Sequence, residues 1–227
     1  MRALIGTVVV LVALAAGTLA FADGKQICLV TTGPDHCTGT NADERLSGGD
    51  GDDVLDGSGG KDTFLAGPGN DQILGGNGSD RVNAEEGADN ADGGAGADLV
   101  FGGDGDDILS GGTGNDQVFG DAGNDDVRGG AGNDRVFGGA GNDHVRGDSG
   151  ADKVFGGAGA DALEGGAGAD QLLGGAGVDT FSGGSGDDRI NSRDNRKETV
   201  KCGAGHDTVV SDLVDKFGKD CEVSVRI

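Results

Sequence analysis

The chain contains no tryptophan and no tyrosine, one methionine, two prolines and four cysteines in 227 residues. With 51 glycines and only 34% hydrophobic residues beside that lack of large aromatics, it cannot fill the core of an ordinary layered domain. Positive charge is scarce too: 17 Lys and Arg stand against 40 Asp and Glu, a net charge of −23. Phosphate binding needs cations clustered on one face, so nucleic acid is set aside as a partner. Catalytic signatures are also missing. There is no H-E-x-x-H, G-x-S-x-G or Walker loop, and His36, His144 and His206 are scattered. The carboxylates could pair as acid and base, but no cleft gathers them. The chain therefore reads as a non-enzyme, with a cryptic hydrolase as the alternative.

An acidic, glycine-rich composition also suits disorder, and what argues against disorder is a strict period. From Gly48 to Asn191 the sequence runs as sixteen consecutive nonapeptides of the form Gly-Gly-x-Gly-x-Asp-x-U-x, with U apolar. Position 4 is always glycine, from Gly51 to Gly186. Position 6 is always aspartate: Asp53, Asp62, Asp71, Asp80, Asp89, Asp98, Asp107, Asp116, Asp125, Asp134, Asp143, Asp152, Asp161, Asp170, Asp179 and Asp188. Random acidity would not hold one phase of nine sixteen times.

A unit such as Gly129–Phe137 divides into a six-residue turn and a three-residue strand. Its glycines permit positive φ, so the turn can close tightly with carbonyls directed inward towards a cation. The apolar residue at position 8 faces the interior while positions 7 and 9 face out, as in any strand. Two units, eighteen residues, close one coil. Stacked about 4.8 Å apart, the coils predict an all-β parallel β-roll (a β-solenoid) of two parallel sheets. The aspartates then fall into two columns, Asp53 to Asp179 and Asp62 to Asp188, each in steps of eighteen. Neighbouring carboxylates at that spacing repel by roughly 1 to 3.5 kcal/mol per pair, and the one-sided core is too thin to offset chain entropy alone. An expanded chain that folds on binding cations follows.

The period resembles the hemolysin-type (RTX) calcium-binding nonapeptide repeat. That resemblance implies Ca²⁺ held between two stacked turns on one edge, by an aspartate from each and by backbone carbonyls, which suits calcium's preference for six to eight oxygen ligands. Eight turns on each edge leave seven gaps, so up to 14 ions fit. Loss of residues 1–22 would remove Arg2 and leave a charge of −24; filling every gap would leave the roll slightly positive.

Residues 1–22 read as a signal peptide: Arg2, an apolar run from Ala3 to Ala16, then Ala20-Phe21-Ala22. The chain is expected to be secreted, with membrane association only if the segment stays uncleaved as an anchor. Residues 23–47 form an N-terminal cap containing a degenerate repeat, Gly39–Ser47, with Glu44 in place of aspartate. Residues 48–191 are the roll and 192–227 a C-terminal cap. In the last segment Ser192–Val200 reads as an off-pattern linker, after which 202–209 revives the motif one residue out of phase and a tied strand covers the last coil. Cys28 and Cys37 precede the roll, and Cys202 and Cys221 follow it. In an oxidising compartment they read as two local disulfides, although other connectivities or free thiols remain open. A signal peptide with cysteine-bearing ends resembles the small secreted calcium-binding repeat proteins of bacteria, and not the toxins and proteases with large effector domains.

Within the roll, the unit Ala84–Asp92 lacks both leading glycines and reads as a local hinge or weak site. Ser58, Asp121 and Asp148 replace a second glycine, which makes those turns suspect. Position 9 on one sheet reads Leu65, Asn83, Phe101, Phe119, Phe137, Phe155, Leu173 and Asn191. This aromatic column is either a self-stabilising ladder or a strip for self-association or a cell-surface partner. The sequence thus predicts a calcium-binding structural or interaction protein, with a calcium-dependent adhesin or surface-layer component as the alternative.

Overall fold

The structure, a computed structural model, describes residues 31–221 and 223–226. Among them every regular element is a strand. The 22 strands alternate between two parallel sheets of 11 strands each, the first running from His36–Thr38 to Lys216–Phe217 and the second from Arg45–Ser47 to Val223–Arg226. Chain neighbours lie in opposite sheets, and sheet neighbours are one coil apart. Register follows the period: Val118 pairs with Val136, and Val127 with Val145. This is the expected β-roll of about 18 residues per turn.

The position 8 side chains form the core as two facing files. Leu55, Ile73, Ala91, Leu109, Val127, Val145 and Leu163 line one sheet, and Phe64, Val82, Val100, Val118, Val136, Val154 and Leu172 line the other, all buried. Two phenylalanines fit between such closely spaced sheets because glycine gives them room. A Cβ on Gly57 would lie 2.7 Å from the tip of Phe64, and one on Gly174 would lie 2.6 Å from the tip of Phe181.

The strands are longer than expected. Most run six residues, through positions 7 to 9 and on through 1 to 3 of the next unit, as in Arg135–Ala140. Because stacked turns are near copies, their backbone groups find the same partner one coil away. Gly139 pairs with Gly157, and Gly141 N–H donates to Ala158 O at 2.8 Å. The ladder therefore consumes half of the predicted turn.

Two readings of irregular segments are corrected. Ser192–Val200 is not a linker. It is a coil half with one extra residue, in which Thr199–Ala204 pairs with Thr180–Ser185 and Val200 enters the core. The surplus is absorbed around Asn195, at φ 66°, and Glu198 takes the aspartate slot. The chain beyond Val209 does not lie across the last coil, because Lys216–Phe217 and Val223–Arg226 extend the two sheets in parallel. Ala84–Asp92, the expected hinge or weak site, keeps the register of the roll. Glu85 takes the glycine conformation at φ 82° and pairs in register with Gly67 and Gly103. The same accommodation occurs at Ser58, Asp121 and Asp148, with φ of 65°, 71° and 72°.

Cys202 and Cys221 form a disulfide with Cα atoms 5.0 Å apart. Cys37 is disulfide-bonded as well, while its expected partner Cys28 lies outside the described residues, as does segment 1–22.

Candidate metal centre

Each position 6 aspartate enters the turn just before its strand begins. Asp116 illustrates the geometry: its N–H donates to Asp134 Oδ1 at 2.8 Å, and its own Oδ1 accepts from Asp98 N–H at 2.8 Å. The same link, 2.7 to 3.0 Å long, repeats down both columns. All sixteen aspartates are thus brought together as expected, and they are 1% to 3% exposed.

One oxygen of each carboxylate is spent on that chain of hydrogen bonds. The other, Oδ2, is buried with no hydrogen-bond partner among the described residues at every position except Asp179. A buried unpaired carboxylate oxygen is costly, and here it recurs once per half coil.

The surroundings are built of oxygen and glycine. A Cβ on Gly147 would meet Asp152 Oδ2 at 2.6 Å and the Gly165 carbonyl at 2.6 Å, so the missing side chain leaves a space bounded by carboxylate and carbonyl oxygens. Hard oxygen donors at a turn lined by backbone are what Ca²⁺ takes, and the residues present fit it. The aspartates would be its anionic ligands and the turn carbonyls its neutral ones.

Electrostatics point the same way. Burial, followed by repulsion from the coils above and below, outweighs the backbone hydrogen bond and pushes Asp62, Asp71, Asp116, Asp125, Asp161 and Asp188 up to about 6. Asp98, Asp107 and Asp152 rise to about 7 for the same reasons. A column of carboxylates raised this way needs protons or cations to be comfortable.

Several participants were missed in the sequence. Position 5 carries a second ladder on the exposed rim, in which Asn142 N–H donates to Asn124 Oδ1 at 2.9 Å and Asn133 N–H to Asn115 Oδ1 at 2.8 Å. Its signal was the abundance of Asn and Asp at that phase. At the start of the roll, Gly33-Pro34-Asp35-His36-Cys37 forms a further half unit, with Asp35 N–H donating to Asp53 Oδ1 at 2.7 Å and Cys37 in the core. Glu44 does fill an aspartate slot, its carboxylate folded back on Thr40. Asp207 extends the second column by accepting from Asp188 N–H at 2.9 Å, and its Oδ2 is also unpaired.

The aromatic column is real. Phe101, Phe119, Phe137 and Phe155 stack face to face with centroids 4.6 to 4.9 Å apart. Leu173 continues the row beyond Phe155, its register partner in the next strand.

A parallel roll of glycine turns with two internal columns of half-satisfied aspartates defines a calcium-binding β-solenoid. The profile of the RTX calcium-binding nonapeptide repeat matches residues 38–73, 74–109, 101–136, 119–154, 128–163 and 155–190, together well over half of the chain. The protein belongs to that family, whose repeats bind Ca²⁺ and build a structural fold. No curated protein matches the chain.

Proposed function

We propose that this is a secreted structural module that becomes compact on binding Ca²⁺, with up to 14 ions in the gaps of its two aspartate columns. The observation that carries the reading is the repeated buried Oδ2 without a partner, because a cation relieves both its missing bond and the repulsion along the column. Secretion is supported by the apolar leader at 1–22 and by disulfide bonding at Cys37 and at Cys202–Cys221. No step of catalysis is assigned. The test is circular dichroism of the full chain titrated with Ca²⁺ from excess chelator. A β signal that grows cooperatively supports the reading, and an equal signal in chelator refutes it.

A second reading, a calcium-dependent adhesin or surface-layer component, rests on one further observation. At the outward strand positions 7 and 9 of the second sheet, from Arg45 to Asn191, stand Arg45, Arg81, Arg135, Lys153 and Arg189 and no carboxylate, although the chain is strongly acidic. These cations flank the phenylalanines, and the Arg81 guanidinium lies 4.9 Å from the centroid of Phe101. The opposite sheet carries mixed and mutually paired charge, such as Arg146 with Asp126 at 2.8 Å. Sedimentation in calcium of a chain with Phe119→Ser and Phe137→Ser separates the cases: loss of an association present in the parent supports a docking face, and a parent that is itself a lone monomer counts against self-association.

A further inference from the structure

The irregular C-terminal coils hold an acidic cluster that the repeat does not explain. Asp194, Glu198 and Asp212 each offer a carboxylate oxygen, and these oxygens lie within 4.8 Å of one another. Proximity of acids alone does not make a site. Glu198 adds an independent fact: it is 1% exposed, and among the described residues no N–H or hydroxyl donates to Oε1 or Oε2, whose neighbour is instead a further acid, the Asp215 carboxyl.

Glu198 stands where the first column would place its next aspartate. In the repeats that residue accepts the N–H of the aspartate one coil earlier. Glu198 is one methylene longer, makes no such bond, and turns its carboxylate to Asp194 and Asp212. Those two residues lie outside the nonapeptide motif, in turns where the repeat would present glycine carbonyls.

The backbone fixes both. Asp194 accepts from Gly177 N–H at 3.0 Å and from Arg196 N–H at 2.8 Å. Asp212 accepts from Asn195 N–H at 2.6 Å and from Val214 N–H at 3.1 Å. Behind them Asp215 is satisfied by Glu198 N–H, Ser192 Oγ and Asp212 N–H at 3.2, 2.9 and 3.3 Å. Among the described residues, the side-chain cation paired with this group is Arg196, 3.4 Å from Asp194 and largely exposed. A cleft lined by Asn191, Arg193, Asp194, Asn195 and Asp212 opens onto it.

We propose that Asp194, Glu198 and Asp212 form a further divalent-cation site, separate in construction from the repeat gaps and suited to Ca²⁺. Its ligands are three side-chain carboxylates from one short stretch of chain. Its local negative charge exceeds that of a gap served by two aspartates and carbonyls, so it holds its ion most tightly of all.

Equilibrium dialysis of the full chain against ⁴⁵Ca²⁺ tests this. Glu198→Gln is the primary variant, because no N–H or hydroxyl donor is lost with the carboxylate and the amide can still face the Asp215 carboxyl. One ion fewer per chain is expected, lost from the tightest class, with an unaltered β signal in millimolar calcium. An unchanged count overturns the proposal. Should Glu198→Gln fail to gain the β signal, anomalous scattering from calcium-soaked crystals of the parent decides: a peak among the three carboxylates sustains the site, and its absence removes it. Failure of the column reading looks different, because the parent would then bind a single ion and Glu198→Gln none.

Discussion

Position 4 of each unit is glycine because the turn of the preceding coil occupies the space a side chain would need. Gly132 sits at φ 144°, and a Cβ there would run into the Gly114 carbonyl group, 2.5 Å from its carbon. Backbone cannot move aside as a flexible side chain can. Gly132→Ala should therefore cost about 3 kcal/mol or more, read as a lower urea midpoint in saturating calcium. Position 2 behaves differently. Asp121 already holds φ 71°, so Asp121→Gly should stabilise the roll by up to about 1 kcal/mol in the same assay. Both residue types were legible in the sequence. What was not legible is that Ser58, Glu85, Asp121 and Asp148 all enter positive φ without breaking register, since the strain of one residue is set against a full ladder of bonds on either side.

Among the elements, the phenylalanine ladder is a consequence of register. Identical side chains placed directly opposite in a parallel sheet must stack, and Phe137 stacks on both Phe119 and Phe155 at 4.6 Å. Phe137→Ser removes two such pairs and should cost about 1 to 3 kcal/mol, visible as a lower melting temperature with calcium present. The eighteen-residue spacing of the column was plain in the sequence. The segment after Asn191 was not, because pattern reading depends on a constant step. Phe181 pairs with Val200, and Val200 with Phe217, so the step lengthens by one residue and then shortens by one below eighteen. Only the sheet edge left open by the preceding coil identifies those residues as strands.

For the whole molecule the aspartate columns act together. Their folded acidities lie above the unfolded value of 3.8, at about 6 to 7 for nine of them, through burial and mutual repulsion. Between about pH 4 and pH 7 the calcium-free roll therefore binds more protons than the unfolded chain, and its stability falls as pH rises through that window. In excess chelator, circular dichroism should show more β structure at pH 4 than at pH 7.5. With calcium the dependence reverses, because protons compete for the same oxygens, so the calcium midpoint should rise as pH drops below about 6.

The nonapeptide period by itself determined the coil, the two sheets, the core files and the membership of both aspartate columns. It could do so because a residue in a repeat meets copies of itself, so one unit's environment is every unit's environment. Only the tertiary structure decided which oxygen of each carboxylate stays unpaired and how Glu198 meets Asp194 and Asp212. Those outcomes depend on what the neighbouring coil presents, and at the irregular end of the chain the neighbouring coil is no longer a copy.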